Sequence, residues 1–171
     1  MIRHYHQEIR GKGQPMTARS NEEVEEILEE LSAHGLGDIN PDQEQFRAIL
    51  ASDLDGPLQF VNLLGYYDEA RYPADHRLSG AGLSGAEAYG RYGTVAVTEI
   101  SKRGGRLDLF NDVKMVIAGD NAAWDQVVIM EYPSIDSFID MVRAPEYVEG
   151  LVHRNAGLER TVVLATRSLL G

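Results

Sequence analysis

Residues 124–166, WDQVVIMEYPSIDSFIDMVRAPEYVEGLVHRNAGLERTVVLAT, decide the fold. The first nine alternate: Trp124, Gln126, Val128, Met130 and Tyr132 face one way, Val127, Ile129 and Glu131 the other, as in a half-buried strand. Pro133, which has no N–H for a ladder, stops the run, and Ser134 is placed to cap a helix whose apolar stripe is Ile135, Phe138, Ile139 and Val142. Ala144-Pro145 breaks that helix. A second helical segment follows over about 145–155, burying Tyr147, Val148, Leu151 and Val152, and the final apolar run 161–165 predicts the last strand.

Upstream, Leu58, Phe60, Val61, Leu63 and Leu64 form an apolar run between Pro57 and Gly65, which reads as a strand buried on both faces. A long polar loop runs to about Ser84, and Ser84 with Glu87 is a capping box. Tyr89, Tyr92, Ala96, Ile100 and Arg103 then share one side of a helix. The stretch 94–98 is β-branched, but the stripe continues through it and Gly104-Gly105 supplies a helix stop. A second strand is predicted over 107–117, irregular near Asn111-Asp112. The order β, α, β, β, α, β is the α+β, ferredoxin-like arrangement, an antiparallel sheet with helices on one face. The bare face then needs a cover, and a second copy of the chain is the usual one.

The N-terminal third reads as a helical extension. Ser20 and Glu23 form a capping box before the stripe Val24, Ile27, Leu28 and Leu31, while Glu22, Glu25, Glu26, Glu29 and Glu30 fill the remaining surface of that helix. A second short helix is predicted with Asn40 as cap and Pro41 first, burying Phe46, Ile49 and Leu50. The chain therefore divides into an extension, 1–52, and a ferredoxin-like domain, 53–171, and a chain beginning near Asp53 is expected to fold with reduced stability. The glutamates suit a solvated face better than a docking surface.

Composition narrows the functions available. No cysteine is present, which removes disulfides, thiolate nucleophiles and iron–sulfur ligation together. The formal charge of −11, with only the short basic cluster Lys102, Arg103 and Arg106, argues against nucleic acid as a partner. Residues 1–56 hold 5 basic and 12 acidic residues, so the acid is concentrated there. No apolar run approaches the roughly 20 residues a membrane helix needs. With no apolar core to a leader in residues 1–16, a cytoplasmic protein of bacterial type is expected.

Several of these residues together resemble a known family. Tyr132-Pro133-Ser134, the Phe138 helix, Ala144-Pro145-Glu146-Tyr147 and Arg154 are similar to the aromatic-Pro-Ser, Ser-Pro-Glu-Tyr and Arg signature of domain-of-unknown-function family 1330, and Gly104-Gly105 and Trp124 also match. The resemblance spans about residues 57–167 and implies the dimeric α/β-barrel superfamily, in which two ferredoxin-like sheets close into one barrel. It implies a homodimer, no obligatory cofactor and a possible small-molecule ligand. Acid/base, isomerase-like or monooxygenase-like chemistry on a small aromatic or carbonyl compound is the enzymatic expectation; the alternative is a non-catalytic homodimeric structural or interaction module. The family carries no settled activity, and the extension and the long loop depart from its short members.

Candidate site residues follow from side-chain chemistry. Asn62 shares a strand face with Leu58, Phe60 and Leu64, so its amide is either a ligand anchor or bonded to neighbouring backbone. His76, flanked by Asp75 and Arg77, is the candidate for proton transfer, although such triplets are common in exposed loops. Arg154, at the edge of a helix stripe, either reaches a carboxylate ligand or pairs with an acidic side chain across the fold. Tyr92 and Trp124 are expected near the same pocket, as aromatic wall or as core filler. His153 is expected to pair with Glu149 on the surface, and His4-x-His6 reads as a frayed terminus rather than a metal site.

Overall fold

The computed structural model describes residues 19–34, 39–52, 54, 56–119 and 122–169. It begins with two amphipathic helices, α1 (Asn21–Ser32) and α2 (Gln43–Leu50). Ser20 caps α1: its hydroxyl accepts from the Glu23 N–H at 3.2 Å, while the Ser20 N–H donates to the Glu23 carboxylate at 2.8 Å. The predicted start of α2 is corrected. Asp42, not Asn40, is the cap, accepting from the Gln45 N–H at 2.8 Å while the Gln45 side chain accepts the Asp42 N–H at 3.0 Å. That reciprocal pair satisfies two helix-end donors, which a cap at Asn40 would leave open.

Four strands form one antiparallel sheet: β1 (Leu58–Tyr66), β2 (Arg106–Asp112), β3 (Gln126–Tyr132) and β4 (Leu158–Thr166), in the spatial order β2-β3-β1-β4. This is the order that a βαββαβ chain takes in the ferredoxin-like fold. β2 is shorter than the run 107–117, and the reason lies in its partner: Asp112 pairs with Gln126, the first residue of β3. One more bond, from the Val113 N–H to the Asp125 carbonyl, closes that ladder, and the Asp125 N–H turns to Leu64 on β1. Met115 and Ile117 therefore have no strand beside them and lie 73% and 92% exposed.

The remaining helices are α3 (Gly85–Lys102), α4 (Ile135–Val142) and α5 (Pro145–Gly157). The β-branched stretch 94–98 lies inside α3, where the Thr94 and Thr98 hydroxyls donate to the carbonyls of Gly90 and Thr94, one turn back, at 3.1 and 2.8 Å. Gly104 follows at φ 77°, the left-handed conformation that lets the chain turn off the helix. α3 packs closely along α5, and Gly85 and Gly157 let the backbones meet: a Cβ on either would collide with the other's carbonyl oxygen.

The sheet has two unlike faces. Leu58 and Phe60 of β1 and Tyr132 of β3 join Ile135, Phe138, Ile139 and Val142 of α4 in one cluster. Val24, Leu28 and Leu31 of α1 and Phe46 and Leu50 of α2 belong to the same cluster, so the N-terminal helices are built into the core. Strand alternation sends Val61, Leu63, Leu109, Val127, Ile129, Val162 and Leu164 to the opposite face. A polar network of Arg106, Asp108, Glu131 and Gln59 borders that face at one end.

Candidate functional site

The ladder places Asn62, Val128, Phe110 and Val163 in one row across the sheet, and Phe60, Met130, Leu107 and Ala165 in the next, all on the helix-facing side. These rows line a cleft of about 1020 Å³. Other parts of its lining come from α3, through Tyr89, Gly90, Gly93, Thr94 and Val97, and from the N-terminal segment, through Leu31, His34, Ile39, Asn40, Gln45 and Ile49. Phe110 and Val163, on the two outer strands, are still 56% and 45% exposed, which marks where the cleft opens. The volume is at the upper end of the range for small-molecule sites, and the lining has their usual make-up, mostly apolar with a few polar groups.

Arg154 is the foremost of those polar groups. It is 7% exposed, and its guanidinium donates to the Asn40 side-chain oxygen at 2.6 Å and the Ile39 carbonyl at 2.7 Å. Asn62 donates both amide hydrogens to backbone, to Phe60 O at 3.0 Å and Val128 O at 3.3 Å, which fixes its amide orientation and turns its oxygen away from those carbonyls as an acceptor. The hydroxyls of Tyr92 and Tyr147 share a hydrogen bond at 3.0 Å. Burial holds the Tyr147 and Tyr89 hydroxyls well above the usual phenol range; Tyr92 adds to this and the Arg154 charge opposes it. Both phenols are therefore neutral hydrogen-bonding groups at physiological pH.

The structure brings together Asn62, Tyr92 and Arg154 of the sequence candidates and sets His76 and Trp124 apart from them. His76 stacks on Tyr72 at 4.6 Å and 7° and meets His153 edge-on at 5.9 Å, and its Nδ1 accepts the Leu78 N–H at 3.3 Å. Tyr72 packs with Ala88 of α3 and Ala156 of α5, so this loop lies on the helix pair rather than in the cleft. Trp124, just before β3, lies under the Arg160 guanidinium at 5.3 Å. The expected surface pair of His153 with Glu149 is replaced by a 2.8 Å hydrogen bond between His153 Nδ1 and the Tyr72 hydroxyl, since the folded-back loop brings a better-shielded partner. His4 and His6 lie outside the described residues.

Sequence reasoning passed over His34, the one histidine lining the cleft among the described residues. It stands just beyond α1, where its spacing signals only a helix end. Tyr89 and Tyr147 read only as members of a helix's inward side for the same reason: periodicity reports that a side chain is inward, not what it faces.

The comparisons with known proteins agree with this architecture. Residues 82–167 match the family described as domain of unknown function (DUF1330), and the chain belongs to it. Among solved structures, it is similar to the methylated RPA0582 protein, with 33% identity and a TM-score of 0.70 over 78% of this chain and 96% of that one. It is likewise similar to the RPA0582 protein of unknown function from Rhodopseudomonas palustris, a structural genomics target, at 31% identity and TM-score 0.70 over 80% of this chain and 100% of that one. No curated protein matches. Among the described residues no helix is long and apolar enough to cross a membrane.

Proposed function

We propose that this protein is a small-molecule-binding member of its family that works as a homodimer and takes its ligand in the cleft between the sheet and the helices. The observation that carries the reading is a pair of glycines in the middle of α3. Gly90 and Gly93 line the cleft, and a Cβ added to either would meet no atom within 4 Å. Neither sits at positive φ. Each costs the helix about 1 kcal/mol relative to alanine, so neither backbone nor packing accounts for them, whereas open space beside a ligand does. If the protein is an enzyme, acid/base chemistry falls to His34 as the imidazole in the cleft, with the hydrogen-bonded hydroxyls of Tyr92 and Tyr147 beside it.

The test is a thermal-shift screen of small aromatic and carbonyl compounds on the full chain. Gly93→Ala should raise the unfolding midpoint and preserve any ligand shift, whereas Gly93→Phe should fold and abolish it, because the ring would occupy the cleft. A ligand shift that survives Gly93→Phe would move the site elsewhere. No shift with any compound would favour the non-catalytic dimeric module.

A further inference from the structure

Arg154 is the only Lys, Arg, Asp or Glu among the described residues that line the cleft. That is unusual on a chain of net charge −11, where cations have many carboxylates available to them. Buried charges are ordinarily paired, because taking an unpaired one out of water is strongly unfavourable. Among the described residues both partners of this guanidinium are neutral oxygens, Ile39 O and Asn40 Oδ1. Asp38, next to Ile39 in sequence, lies outside the described residues. A guanidinium carries five N–H donors. The two bonds leave the Nε hydrogen and one on each Nη without a protein acceptor among the described residues, although the group is 7% exposed and lines the cleft.

The surroundings specify the rest of the ligand. Phe60, Val128, Met130 and Phe110 offer an apolar floor, so an anion bound there must carry an apolar body. A single guanidinium, with no second cation lining the cleft among the described residues, matches a monoanion that accepts two parallel hydrogen bonds better than a phosphate dianion. Asn62, with its oxygen free to accept, gives the same ligand a place for a hydroxyl or N–H along its length. We infer that the cleft takes a carboxylate borne on an aromatic or aliphatic body, with Arg154 as its countercharge. The inference rests on the cleft reading above and adds the ligand class.

Calorimetric titration of the full chain with 4-phenylbutanoate and 2-naphthoate, each beside its primary amide, separates the two claims. Each acid should bind roughly tenfold to a hundredfold more tightly than its amide, the usual size of a charged hydrogen bond. Arg154→Gln should bring acid and amide to equal affinity, and Asp38→Asn should leave the acid preference in place. If Arg154→Gln fails to fold, Arg154→Lys carries the test: an ammonium lacks the planar fork, so the preference should fall severalfold, and an unchanged preference overturns the assignment. Acid and amide binding equally to the unaltered chain, with both lost in Gly93→Phe, would overturn the carboxylate inference and leave the cleft reading intact. No binding of either pair at millimolar concentration would overturn both.

Discussion

His153 illustrates how one side chain couples this fold to pH. Its Nδ1 is hydrogen-bonded to the Tyr72 hydroxyl, and burial first, then the charges of His76, Arg91 and Arg77, push its pKa below the usual imidazole value. His76 and Arg77 face it from the loop and Arg91 from α3, while Glu149 stands one turn earlier on its own helix. A histidine whose pKa is lower folded than unfolded binds protons more readily in the unfolded chain. Its contribution to stability is thus full above the ordinary imidazole range and is lost as pH falls through the folded value. The thermal midpoint should therefore drop on acidification from about pH 7 to about pH 5, the range in which histidine titrates. Carboxylates add to any such drop, so the comparison with His153→Gln isolates the histidine: the variant should show a shallower fall. Identical slopes in the two proteins would mean that the loop opens before His153 titrates.

At the scale of elements, the N-terminal helices behave as part of the core, because Leu50 is fully buried and clusters with Leu58, Phe60 and Phe138. Ion pairs tie them to α4 and the turn that follows it, through Arg19 with Asp136 and Glu30 with Arg143 at 2.6 Å, but such partly exposed pairs contribute little beside the apolar burial. Leu50→Ala should cost about 2–5 kcal/mol, as for other buried leucines, and denaturant unfolding should remain one transition. A separate early transition would show instead that α1 and α2 come away as an independent unit. The βαββαβ order was legible in the sequence because each element announces itself locally, by alternation in 126–132 or by the stripe of Ile135, Phe138, Ile139 and Val142. The limits of α2 and β2 were not. Two rival caps stand two residues apart at the start of α2, and β2 ends where β3 stops offering partners, which is set outside the strand itself. The site was legible only in part for a related reason. Arg154 meets Asn40 and Ile39 across 114 and 115 residues, and Tyr72 meets His153 across 81, separations on which helical and strand periods are silent.

For the whole molecule, the distribution of apolar surface over the sheet's two faces bears on assembly. One face is occupied by helices and cleft; on the other, Leu164 is 50% and Val162 39% exposed, beside Val61, Leu63, Leu109, Val127 and Ile129. Contiguous apolar surface of this kind is uncommon on monomers and typical of homodimer interfaces, and the bordering Arg106–Glu131 pair would fall at the rim, where charge is tolerated. A self-complementary sheet face pairs most simply about a two-fold axis, which would turn the helices and both clefts outward, each reached without crossing the interface. The expected result is a light-scattering mass near twice 18.9 kDa at micromolar concentration. Leu164→Glu should halve it while leaving the circular dichroism spectrum intact, since this side chain already contacts water in the single chain. A variant that stays dimeric would place the interface elsewhere, and an unaltered chain with a monomer's mass would remove the sheet-to-sheet dimer altogether. If Leu164→Glu is monomeric and still binds ligand, each subunit holds a complete site. Loss of binding together with dimerisation would mean instead that β4, where Leu164, Val163 and Ala165 all line the cleft, is held in position by the second copy or by Leu164 itself; the same loss in a variant that stays dimeric would point to Leu164.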